Sequence, residues 1–413
     1  MSVLLRNTKK KLDAALRTIE AVEELDFPYQ DSEHALSVIK SLFQSVRTDL
    51  EDCLPNSNQA TVTTLCQRSL EAIRDYLPII GFIGRSTDLD GPLELQGPLL
   101  RLTHRAIGND AQLIISSEWE FSPFTILYPE LNKLNFVLVG MPCSEANNAL
   151  IAALAGHELG HNIWEKGGYK QNLKDIVSDR VRQEILKDWK SWSNILQVEK
   201  PEQLDEDLFA DQILAQPWSW AIAQCEEVFC DFIGLLVFRD AYLHAFEYLL
   251  SPGSSGPRNY NYPRLIERVA ILITAAGRAG IDVSDGYLQR FEKCEREIDG
   301  LEAEFGRLSD QACVSLTNRL LDEALKFVAE RKLSEHDPDE VQRIFHAFSR
   351  AVPPANAKGI VNILLAGWKV ATDSVSYLVK EYPALTDAER ERILNELILK
   401  SFEVFEIEQR QAA

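Results

Sequence analysis

Strand-forming sequence occurs in one stretch of this 413-residue chain, and helical spacing fills the rest. AQLIISSEWEF (111–121) and NFVLVGMP (135–142) combine branched and aromatic residues between turn formers. Before them, Leu5, Leu12, Leu16, Ile19 and Val22 recur at the period of a helix, and the same spacing returns after residue 144. Such a chain has material for a small sheet only. The expected class is therefore mainly α (α+β), a core with a small β-sheet flanked by N- and C-terminal helical regions. Two Gly/Pro-rich stretches, 84–98 and 251–263, punctuate it. They suggest a helical region 1–95, a core 96–285 with a helical insert 170–220, and a helical region 286–413. Asp31 or Ser32 is expected to cap the second helix, Asp337 with Pro338 and Glu340 to start a later one, and Thr386 with Glu389 to box the last. WAIAQCEEVFCDFIGLLVFRDAYLHAFEYLL (220–250) reads as one helix.

The charge balance excludes some partners. Sixty-three acidic residues against 43 basic give a net charge of −20, which repels nucleic acid and anionic membranes at long range. Neither a signal peptide nor an apolar run of membrane-spanning length occurs, so a cytoplasmic protein is expected. The seven cysteines contain no CxxC pair, so neither a disulfide framework nor a cysteine-rich zinc knuckle is indicated.

AALAGHELGHNIW (152–164) carries the chemistry. His157 and His161 are one helical turn apart, with Glu158 beside them. The pattern HExxH is short and has chance copies. Here it lies on an apolar helix beside Leu150, Ile151 and Leu154, where unpaired imidazoles are costly. A catalytic zinc needs three protein ligands and one open position. Trp164 and Gly167 occupy the places where a third histidine could follow on the same segment. CEEVFCDF (225–232) offers Glu227, with Asp231 four residues on to hold a ligand imidazole. Glu226 and Cys230 are rival ligands, and an exposed acidic helix face is the plain alternative.

ALIAALAGHELGHNIW followed by EEVFCDFIGLL resembles the gluzincin zinc metallopeptidases, in particular minimal gluzincins related to the CAAX prenyl proteases. NYPRLIERVAIL (261–272) resembles their downstream loop-and-helix element: Tyr262-Pro263 stands where that family has His-Pro, and Arg268 matches its arginine. The resemblance covers roughly residues 100–280. It implies a zincin-like core and Zn2+ held by His157, His161 and Glu227, with Glu158 as general base and Asp231 behind the ligands. Proteins or peptides would be the substrate. Two departures stand out: the prenyl proteases are embedded in membranes and this chain has no such segment, and tyrosine replaces their histidine. Tyr262, or Tyr260, is the candidate hydroxyl for the developing oxyanion, and simple packing is the alternative for either. NFVLVGMP could accept an extended substrate as an added strand, or be an internal strand. The flanking helices and the acidic segment 196–211 are expected to restrain the cleft or bind a regulatory partner. A catalytically silent gluzincin-like regulatory protein is the competing reading, and the intact Glu158 favours the enzyme.

Overall fold

The computed structural model describes residues 3–52, 58–87, 93–146, 148–204, 207–253, 256–291, 296, 300–372, 378, 380 and 382–412. Cys53, Cys294 and part of the acidic segment (205–206) fall outside them. The helices are α1 (Val3–Glu23), α2 (Gln30–Glu51), α3 (Gln59–Arg85), α4 (Gln96–Ala106), α5 (Pro129–Lys133), α6 (Ala155–Lys166), α7 (Tyr169–Lys187), α8 (Trp189–Leu196) and α9 (Leu208–Phe238). They continue with α10 (Asp240–Leu250), α11 (Leu265–Arg278), α12 (Leu301–Arg331), α13 (Pro338–Phe348), α14 (Ile360–Thr372) and α15 (Asp387–Ala412). The strands are β1 (Gln112–Glu118), β2 (Phe124–Thr125) and β3 (Phe136–Pro142). The described residues are thus mainly helical with a small three-stranded sheet, as the sequence pattern predicts. Among the described residues no helix is long and apolar enough to cross a membrane.

Two compact units result, and they cut across the expected regions. The first joins residues 1–96 to 110–147, so the sheet belongs with the N-terminal helices. Leu12, Ile19, Leu36, Ile39, Phe43 and Ile83 build its core with Ile114, Phe136 and Leu138. The sheet order is β1–β3–β2. β1 runs parallel to β3 from the pair Gln112–Phe136 to Glu118–Pro142, and β2 pairs antiparallel at Phe124–Gly140 and Thr125–Val139. A Cβ at Gly140 would lie 2.5 Å from the Phe124 ring, so glycine is what lets β2 close on β3. The strand expected to receive substrate, NFVLVGMP, is therefore the central strand, and every residue of β3 is buried. The caps proposed for α2 are also elsewhere. Asp31 accepts from the backbone N–H of Leu113 on β1 (2.9 Å), Ser32 bonds Ser86 (3.0 Å), and the N-cap position is Tyr29.

The second unit, residues 97–109 and 148–413, is organised round α9. Asp207 caps its start, accepting from the N–H groups of Phe209 and Ala210 at 2.9 Å. From Ala221 to Phe238 nearly every side chain is buried, because α6, α7, α11 and α12 all pack against it. The helix expected to run to residue 250 breaks at Arg239, which adopts φ 56° and sends its guanidinium to the Gly280 carbonyl (2.9 Å). The C-terminal helices are not a separate region. α12 packs along α9, while α14 and α15 pack against a 3-10 turn, Ala149–Leu154, that leads into α6. There Trp368 donates to the Leu150 carbonyl (3.1 Å) and Asn395 accepts from the Ala149 N–H (2.7 Å). Asp337 caps α13 and the Thr386/Glu389 box opens α15, as expected.

Candidate metal centre

Small residues bring the two site-bearing helices together. On α6, Gly156 and Gly160 lie one turn apart. A Cβ at Gly160 would sit 2.7 Å from the Cys230 Cα, and one at Gly156 would sit 3.0 Å from the Gly234 Cα. The backbones of α6 and α9 therefore touch, and the residues beside each glycine, His157 and His161, face Glu227. Ligand atoms of these three residues all lie within 4.8 Å of one another. Glu227 presents one carboxylate oxygen to each ring: His157 Nε2 is 3.3 Å from Oε2 and His161 Nε2 is 3.8 Å from Oε1. This largely buried group could hold a metal ion, with both histidines offering Nε2.

The other ring nitrogens are engaged from behind. His157 Nδ1 is 2.9 Å from Asp231 Oδ1, and His161 Nδ1 is 2.9 Å from Glu226 Oε1. Each carboxylate fixes a ring so that Nε2 faces the centre. Asp231 does what its place four residues after Glu227 implies. Glu226, a rival ligand on sequence grounds, serves the second histidine instead. Cys230 is packing: a Cβ on Gly160 would lie 3.1 Å from its sulfur, and burial keeps the thiol pKa well above its ordinary value.

Asp231 is the hub of this outer set. Arg268 Nη2 donates to its Oδ1 (2.7 Å), Nε donates to Oδ2, and the Tyr242 hydroxyl adds a bond to Oδ1 (2.7 Å). Burial alone would raise the Asp231 pKa, but the Arg268 charge and hydrogen bonds overcome it and hold the carboxyl well below its usual range. Burial likewise opposes charge on His157, yet its bonds to Asp231 and Glu227 prevail and lift its pKa to about 10. Carboxylates that favour an imidazolium there equally favour a metal cation in its place, with release of the proton. Burial raises the Glu158 pKa, which the two neighbouring histidines partly offset.

The tyrosine candidates separate cleanly. Tyr260 is buried, stacked on Trp220 with centroids 4.5 Å apart, and belongs to the core. Tyr262 is 38% exposed, and the Arg268 guanidinium lies 5.4 Å from its ring centroid. The negative charge of Glu227, then burial, push its pKa up to about 12, so the phenol remains a hydrogen-bond donor. Tyr242 escaped the sequence reading: it lies beyond the break at Arg239, and no spacing rule connects it to Asp231.

Removing either rear carboxylate should loosen the group. Asp231→Ala and Glu226→Ala are each expected to lower metal affinity about 10–100-fold, measured by competition with a chromogenic chelator. Asp231→Ala should cost more, because it also strands the buried Arg268. Unchanged affinity in both variants would make these residues bystanders.

No protein-family model, no curated protein and no solved structure matches the chain.

Proposed function

We propose that this protein is a zinc-dependent metallopeptidase with a zincin-like core. The observation that carries the reading is the convergence of His157, His161 and Glu227 from two helices, with Glu158 beside them on α6. Two imidazoles and a carboxylate are a donor set for zinc that leaves a coordination position open. Zinc bound there would supply Lewis acidity, acidifying water and polarising a substrate carbonyl. The chain's own residues do the rest. Glu158 takes the proton of the attacking water on its carboxylate and passes it to the nitrogen of the leaving amine. Asp231 and Glu226 keep the imidazoles in the donor tautomer. Arg268 neutralises Asp231 and keeps Glu227 oriented through a longer contact at 3.5 Å. Tyr262, protonated at neutral pH, donates its hydroxyl to the oxygen that gains charge.

A carboxylate in the Glu158 position supports the enzyme over a silent regulatory relative, because a purely structural metal group has no use for a general base. Proteins or peptides are the proposed substrates. The test is elemental analysis with hydrolysis of fluorescein-labelled casein. About one zinc per chain is expected, lost together with hydrolysis in the double variant His157→Ala, His161→Ala. Full zinc occupancy in that variant would place the metal elsewhere.

A further inference from the structure

A second buried polar cluster lies outside the metal centre, on the loop that carries Tyr262. Arg258 and Asp310 are both buried and form an ion pair. Asp310 sits on α12, and its Oδ1 also accepts from Gln224 Nε2 of α9 at 3.1 Å. The same Gln224 nitrogen donates to the Tyr260 carbonyl at 3.0 Å. The Arg258 guanidinium lies 4.8 Å from the Tyr260 ring centroid, and the same ring stacks on Trp220 of α9. One turn before Asp310 is Gly306, where a Cβ would stand 2.2 Å from the Tyr260 ring. Gly306 and Asp310 thus form a seat on one face of α12: the glycine admits the ring, and the carboxylate anchors the arginine.

Breaking such a cluster is costly, because an arginine buried to this degree cannot be left without its anion. The loop 256–262 is held by α9 on one side and α12 on the other, and its backbone is tied further by the Tyr262 N–H to the Asn259 carbonyl (3.2 Å). Tyr262 is two residues from the ring that fills the seat. We infer that α12, through Gly306 and Asp310, is the positioning element for Tyr262, so that this loop is a preset wall of the site and not a lid that closes over it. The inference rests on the metallopeptidase reading for its catalytic consequence, but not for the clamp itself. In that reading a hydroxyl aimed at developing charge must be in place before reaction, and a displacement of about 1 Å can cost 10²-fold in rate.

The test uses the full chain carrying Asp310→Asn or Gly306→Ala. The first weakens the anchor with little change of shape. The second displaces the ring and crowds Arg258 Nη1 at 3.3 Å but leaves the Asp310 carboxylate in place, so a folding failure in one leaves the other informative. Three quantities are read. Hydrogen exchange at the amides of Arg258 and Tyr262 should speed up at least tenfold, with the interior amides of α6 and α9 unchanged. Zinc affinity should stay within about twofold of the parent. Turnover of fluorescein-labelled casein should fall about 100-fold in kcat with KM little altered. Wild-type protection of the loop in both variants would overturn the inference. So would exchange that accelerates throughout the unit, since the cluster would then be general packing. If the parent protein binds zinc but cleaves no casein, the peptidase reading fails, and the exchange and zinc measurements still decide the clamp.

Discussion

Replacing Glu158 by glutamine is expected to abolish hydrolysis while fold and metal stay in place. The side chain is buried on α6 between the two histidines, and the amide is nearly isosteric, so no cavity opens. It cannot accept a proton from water, and loss of a positioned general base removes about 10²–10⁴ in rate. Removing a carboxylate whose pKa is raised by burial also lifts a desolvation cost, so thermal stability should hold or rise. The measurement pairs casein hydrolysis with zinc content and a melting curve. Wild-type hydrolysis in a zinc-loaded Glu158→Gln variant would assign the chemistry to another residue. The silent-protein reading predicts instead that parent and variant are equally inert.

Cutting the chain before residue 334 is the second large effect, and the expected direction is loss. The sequence reading allowed that the C-terminal helices restrain an open cleft, in which case removing them would raise activity. Their contacts argue otherwise. Ile360, Val361, Ile363, Leu364, Leu365 and Ala366 of α14 are all buried. At about 1.5–3 kcal/mol for each large apolar side chain withdrawn from water, their partners' exposure alone is comparable to the whole stability of a domain, about 5–15 kcal/mol. The truncation also strips Trp368 and Asn395 from the 3-10 turn that launches α6. Zinc affinity and solubility should fall together, measured by chelator competition and the soluble fraction on expression. A soluble truncated chain with higher casein hydrolysis than the parent would restore restraint by these helices.

The site was legible to the extent that helix geometry dictates it. His157, Glu158 and His161 are local, and Glu227 with Asp231 repeat a helical spacing, so five residues could be placed before any coordinates. The rear partner of His161 was harder. Glu226 and Glu227 are adjacent and chemically alike, and only the rotation of α9 against the glycines of α6 decides which faces the centre. Tyr242 and the Asp310–Arg258 pair were illegible, because they join residues through packing across helix breaks and loops. Likewise, the strands were visible as β-prone sequence but their order was not. NFVLVGMP is apolar at most positions, which fits a strand covered on both faces, yet the two-residue β2 that covers its second side carries no strand signal of its own. The C-terminal helices read as a flank that restrains the cleft because helical period says nothing about which neighbour a helix covers.

The glycine contacts between α6 and α9 have a kinetic corollary. Both histidines stand on one helix and the carboxylate on the other, and the backbones between them leave no slack in which a ligand could swing away alone. Full release of an ion would then require the histidine side chains to turn out of their bonds to Asp231 and Glu226, because the helices that carry them are already in contact. Exchange of a bound metal would be slowed by this shared scaffold, with a chelator gaining its first hold through the open coordination position and so acting in proportion to its concentration.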